Sequence, residues 1–250
     1  MHGNLTKCSS LPYNVISSNR AIEEYSSMRG ETMKNTEIVV LLDRSGSMEG
    51  VKKDTIGGFN TFVRGQKKLP GRASLTLVQF DSVGIDTVYE GLSVKSVPAL
   101  VLEPRGGTPL LDAIGDTIGK TKHRLLKQRR KIDQVVFVII TDGEENASRK
   151  FTKKQILDLV NESAEDLKWE FVYLGANQDA IKEGSMIGIR HSFGYIASPI
   201  HTTRLWEAVD NSVSTYRGTG EFAVSAVYQA GIISTSAPGF INGSKGKYTY

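Results

Sequence analysis

"VVLLDRSGSMEG", residues 39–50, is the stretch on which the reading of this chain turns. A run of apolar residues stops at Asp43. Ser45 and Ser47 follow at alternate positions, with Gly46 between them. Three readings fit these residues alone: a catalytic acid at a strand end, a metal site of oxygen ligands, or a polar turn capping the next helix.

The segments around it alternate in period. "TEIVVLLD" (36–43) reads as a short strand, and "VKKDTIGGFNTFVRGQKKL" (51–69) spaces Val51, Ile56, Phe59, Phe62 and Val63 as a helix does. Gly57 and Gly58 weaken that helix or let it lie close to the sheet; the pair lacks the Lys-Ser/Thr of a phosphate-binding loop. "ASLTLVQF" (73–80) and "GIDTVYEGL" (84–92) read as antiparallel neighbours. "LLDAIGDTIGKTKHRLL" (110–126) is helical, with Pro109 expected at its first position. "DQVVFVIITD" (133–142) is a strand buried on both faces, because its apolar residues do not alternate with polar ones. A helix at 152–167 capped by Thr152, a strand at 169–175, a short helix at 176–188, a strand at 192–197 and a helix at 201–217 complete the pattern.

Strands alternating with helices predict an α/β fold: a doubly wound, mostly parallel sheet with one antiparallel edge strand and helices on both faces. In such sheets the ligand site lies beyond the carboxyl ends of the strands. Asp43 and Asp142 both fall at that end. The expected organisation is a polar arm (1–35), a domain (36–217) and a Gly/Ser-rich tail (218–250).

Composition narrows the function classes. The 250 residues are 39% hydrophobic and 23% charged with net charge +4, a mild basic bias without the clustered basic face that nucleic acid calls for. The basic run "KTKHRLLKQRRK" (120–131) has no interleaved aromatics and reads as a solvated helix end. Cys8 is the single cysteine, which excludes an intrachain disulfide and a zinc site of several thiolates. The four histidines are scattered. "MHGNLTKCSSLPYNV" has no signal-peptide core, and "VVFVII" (135–140) is far shorter than the roughly 20 residues of a membrane span. The expectation is a soluble, cytoplasmic protein without a membrane partner.

At the expected rim stand Asp43, Ser45 and Ser47, then Thr108 in "RGGTPLLDA" (105–113), then Asp142 in "TDGEEN" (141–146). All five are oxygen donors, which select Mg²⁺, Mn²⁺ or Ca²⁺ over zinc or copper. Three neutral hydroxyls with two carboxylates leave such an ion an open position, ready for a carboxylate from another protein. Glu144 and Glu145 read as solvated loop residues.

"DRSGSM" resembles the Asp-x-Ser-x-Ser motif of von Willebrand factor A domains. "GGTPL" is similar to that family's threonine loop, and "TDGEEN" to its second aspartate loop. The order is right, and the resemblance covers about residues 36–217. "YLGANQDA" resembles a segment of compact, stand-alone A domains of bacteria and their viruses. The resemblance implies a metal-ion-dependent adhesion site in which Ser45, Ser47 and Thr108 are hydroxyl ligands and Asp43 and Asp142 bind directly or through water.

Three functions follow as expectations. The first is a binding module with no catalytic residue, in which a divalent cation, Mg²⁺ before Mn²⁺ or Ca²⁺, is completed by an Asp or Glu of a partner protein. The second is a structural subunit of a larger assembly, viral or cellular, that uses the arm and the tail. The third is a Mg²⁺-dependent phosphatase with Asp43 as phosphoryl acceptor. The last is disfavoured because Ser45 stands where a general acid is needed.

Overall fold

A computed structural model describes residues 34–176, 179–195 and 198–222. All of them fall within one of its two compact units, Met33–Tyr250. Nearly all of the expected arm, most of the tail, Cys8 and part of the "YLGANQDA" segment lie outside the described residues, as does the structural-subunit reading that depends on arm and tail.

Six strands form one sheet: β1 (Thr36–Asp43), β2 (Ala73–Asp81), β3 (Gly84–Ser93), β4 (Gln134–Thr141), β5 (Glu170–Ala176) and β6 (His191–Tyr195). Their order is β3-β2-β1-β4-β5-β6, and only β3 runs antiparallel to its neighbour. The expected fold class is the observed one. The helices are α1 (Lys52–Lys68), α2 (Leu110–Lys127), α3 (Lys153–Asp166), α4 (Ala180–Met186) and α5 (Pro199–Thr219). A 3₁₀ turn, Gly46–Val51, leads from the loop after β1 straight into α1.

β1 shows why the sheet must be covered on both sides. Ile38, Val40 and Leu42 join one core, with Phe59 and Phe62 of α1 and Trp206 and Val213 of α5. Val39 and Leu41 join the other, with Ile114 and Ile118 of α2 and Ile156 and Val160 of α3. Each side chain so buried contributes about 1.5–3 kcal/mol relative to exposure.

The departures from the sequence reading are local. Pro109 stands one residue before α2, with its carbonyl accepting from Ala113 N at 3.0 Å. α4 is shorter than expected because Ala176 still belongs to β5. The last helix runs on to Thr219 and stops at Gly220, whose φ of +80° suits a residue without a Cβ. Thr152 does cap α3, in a reciprocal pair with Gln155. The close approach at the glycine pair is to a helix, not to the sheet. A Cβ on Gly58 would lie 2.0 Å from Cδ1 of Trp206, whereas one on Gly57 would meet nothing within 4 Å.

β1 and β4 are central neighbours whose following chains leave toward opposite sides of the sheet. This is the point at which the strand order reverses, and the crevice at such a point opens beyond the carboxyl ends. Leu42 lies opposite Ile140, so Asp43 and Thr141 end their strands side by side.

Candidate metal centre

Asp43 is fully buried. Its Oδ1 accepts from the backbone N–H of Ser45 at 2.6 Å, and its Oδ2 from the hydroxyl of Thr141 at 2.5 Å. The carboxylate therefore ties the loop after β1 to the end of β4. The hydroxyls of Ser45 and Ser47 are 3.0 Å apart, and that of Ser47 donates to Asp142 Oδ1 at 2.6 Å. Ser45 is buried while Ser47 is exposed, so the row of oxygens runs from the strand ends out to solvent.

Thr108 arrives on a third segment. Its N–H donates to Asn146 Oδ1 at 2.8 Å, and its carbonyl accepts from Asn146 N at 3.2 Å. On the other side, Gly46 N donates to the Gly106 carbonyl at 3.0 Å and Arg105 N to the Arg44 carbonyl at 2.8 Å. The threonine loop is thus docked on both of the other loops.

Gly143 marks where they converge. A Cβ there would stand 2.9 Å from Thr108 Oγ1, 3.4 Å from Ser47 Oγ and 3.7 Å from Ser45 Oγ. Three hydroxyl oxygens from two loops thus face one point on the third. All five residues singled out in the sequence come together at this rim.

The electrostatics are those of carboxylates that pair with no cationic side chain among the described residues. Burial pushes the Asp43 carboxyl up to about 6; the bonds from Thr141 and Ser45 work against the rise and the nearby Asp142 charge adds to it. Burial also raises Asp142, opposed by the bond from Ser47. Arg44, between two of the candidate ligands in sequence, turns away to Asp81 and Asp86, each at 2.7 Å. Among the described residues no group of three or more His, Cys, Asp or Glu could hold a metal. An ion here must therefore draw on the hydroxyls. The donor set of carboxylate and hydroxyl oxygens fits a hard divalent cation.

Several residues that shape the rim gave no sequence signal. Glu145 is not a solvated loop residue. Its Oε2 accepts from Leu111 N at 2.9 Å, satisfying a free N–H at the start of α2, and its Oε1 accepts from Ala147 N and Ser148 N. Asp112 accepts from the N–H groups of Arg149, Lys150 and Phe151, and these bonds hold its carboxyl below the usual range against the pull of burial. Thr141 and Gly143 were visible only as neighbours of Asp142. Tyr195, at the end of β6, is buried, and burial together with the charges of Asp142 and Asp43 raises its phenol far above the ordinary value.

Comparison with known proteins accords with this architecture. The profile of the von Willebrand factor type A domain matches residues 36–183. Among solved structures, a pilus adhesin, SpaC, from Lactobacillus rhamnosus GG superposes with a TM-score of 0.56 at 15% identity, covering 76% of this chain and 31% of that one. Proximal thread matrix protein 1 from the mussel byssus gives 0.52 at 17% identity, covering 72% of this chain and 48% of that one, so this chain spans about half of its length. The von Willebrand factor domain of the type V pilus tip protein Mfa5 from Porphyromonas gingivalis gives 0.51 at 10% identity, covering 77% and 99%. No curated protein sequence matches. At these identities the likeness to the three structures is one of fold. The family profile covers more than half of the chain, and the chain belongs to the von Willebrand factor type A domain family.

Proposed function

We propose that this rim is an intact metal-ion-dependent adhesion site, at which the chain binds a partner protein through a divalent cation. Ser45, Ser47 and Thr108 would hold the ion through their hydroxyls, and Asp43 and Asp142 directly or through water. The ion would offer a Lewis-acidic position that a partner's Asp or Glu completes. Mg²⁺ is the ion proposed, with Mn²⁺ and Ca²⁺ as competitors, since the site is compact and the composition suits the cytoplasm.

The observation that carries the proposal is the convergence of Thr108, Ser47 and Ser45 oxygens on Gly143, with both carboxylates beside them and, among the described residues, no cationic side chain paired with either. A binding role accords better with Asp43 than a catalytic one. Both its oxygens already accept hydrogen bonds, and Ser45 occupies the place of a general acid. The similar pilus adhesin and pilus tip proteins lend a coarser support, that of a protein-interaction module.

Calorimetry with Mg²⁺ tests the ion: one saturable site is expected, lost in Asp43→Ala. An immobilised library of Asp- and Glu-containing peptides then tests the open position. Binding should need Mg²⁺ and vanish with EDTA. Peptide capture that is equal with and without EDTA, and unaffected by Asp43→Ala, would sink the proposal.

A further inference from the structure

We infer that Asp81 is a positioning residue for the metal centre, acting through Arg44 and Arg105 to hold the Asp43–Ser47 loop and the Thr108 loop in register. This inference rests on the metal reading above and adds to it a residue that supplies no ligand.

Asp81 ends β2, and its side chain is fully buried. Four donors surround it. Oδ2 takes Arg44 Nε at 2.7 Å and Arg105 Nε at 2.9 Å; Oδ1 takes the N–H groups of Val83 at 2.6 Å and Gly84 at 3.0 Å. These bonds hold its carboxyl below the ordinary value even though burial pulls the other way. Arg44 lies between candidate ligands Asp43 and Ser45, and Arg105 lies three residues before Thr108. One carboxylate oxygen therefore grips both loops that present hydroxyls, while its other oxygen fixes the turn between β2 and β3.

The grip is reinforced on every side. Arg44 also reaches Asp86 at 2.7 Å, and its carbonyl accepts from Arg105 N at 2.8 Å. Ser82, next to Asp81, accepts from Gly107 N at 2.8 Å. The threonine loop has no regular secondary structure of its own near Thr108, so its position is set by these contacts and by Asn146. A loop held by charge-assisted bonds to a buried carboxylate keeps its ligand oxygen in place without ordering cost when an ion binds.

The test measures Mn²⁺ affinity of the full chain by electron paramagnetic resonance, with folding followed by circular dichroism. Asp81→Asn should weaken Mn²⁺ binding about tenfold, as loss of an outer-shell partner does. Arg105→Gln, whose side chain is half exposed, should weaken it less and leave the fold intact. It carries the test alone if Asp81→Asn does not fold. In a Thr108→Ala background Arg105→Gln should weaken binding no further, because the oxygen it positions is gone, whereas Asp81→Asn should still weaken it through Arg44 and the Asp43–Ser47 loop. A merely structural role for Asp81 would lower the melting temperature equally in both backgrounds and leave Mn²⁺ affinity alone. Unchanged affinity in folded Asp81→Asn or Arg105→Gln, beside a wild type that binds Mn²⁺, would overturn this inference only. A wild type that binds no Mn²⁺ would overturn the metal reading and this inference with it.

Discussion

The two ends of β1 each bury a carboxylate, and they differ in what faces it. At the amino end Glu37 is fully buried, with Arg124 Nη2 at 2.6 Å, the hydroxyl of Thr76 at 2.6 Å and the hydroxyl of Ser74 also donating to it. At the carboxyl end Asp43 is as deeply buried but, among the described residues, receives only neutral donors, Ser45 N–H and the Thr141 hydroxyl. Burying a charge is costly unless it is paired. Among the described residues the counter-charge is supplied at one end and not at the other, so the second end is suited to a cation from solution.

Breaking the paired end should have the largest effect. Arg124→Leu leaves Glu37 buried without its guanidinium and should lower stability by about 3 kcal/mol, read by chemical denaturation. Adding Glu37→Gln should recover part of the loss. Next comes the unpaired end. Asp43→Asn should weaken Mg²⁺ about a hundredfold by calorimetry, on the logic that affinity follows ligand charge. Because the Asp43 carboxyl titrates at about 6 in the fold, above its ordinary value, its charge opposes folding at pH 7. The same variant without metal should therefore melt no lower than wild type. An Asp43→Asn protein as unstable as Arg124→Leu would erase the contrast between the two ends.

Gly143→Ala should weaken Mg²⁺ about tenfold, a 1.4 kcal/mol effect, because the methyl enters the space faced by Thr108, Ser47 and Ser45. Its melting temperature should stay near that of wild type. The smallest effect is expected at a half-buried carboxylate outside the site. Asp210 on α5 is pushed up to about 6 by burial, against the bond from Gln66 and the charge of Arg217. The unfolded chain gives up this proton first, so stability is lost as pH rises from about 4 to about 6. Asp210→Asn should melt above wild type at pH 7, and the gap should close toward pH 4.

What could be read in advance follows from the range of the interactions. Strand β1 and the helices were legible because periodicity is local, and Thr152 because its partner Gln155 is three residues away. The five oxygen donors were legible because each sits next to a strand end or a helix start. The Asp81 node was not, since its partners Arg44 and Arg105 come from different loops and nothing in the spacing links them. Glu145 reads as solvated in the sequence for the same reason: the N–H it satisfies belongs to Leu111. The glycine pair signals a close approach in the sequence but not its partner, because Trp206 comes to Gly58 from a helix late in the chain.

The central pairing of β1 with β4 also bears on how the chain is made. Thr36 meets Gln134 across 98 residues of sequence, yet β1 leaves the ribosome first. Until β4 follows, the apolar run Ile38–Leu42 has β2 on one edge and, among the described residues, no strand to pair with on the other. A nascent chain halted before Gln134 already contains Asp43, Ser45, Ser47 and Thr108, but lacks the strand beside which they assemble. Such a fragment presents a bare, water-averse strand edge, a template for wrong pairing that the finished sheet closes.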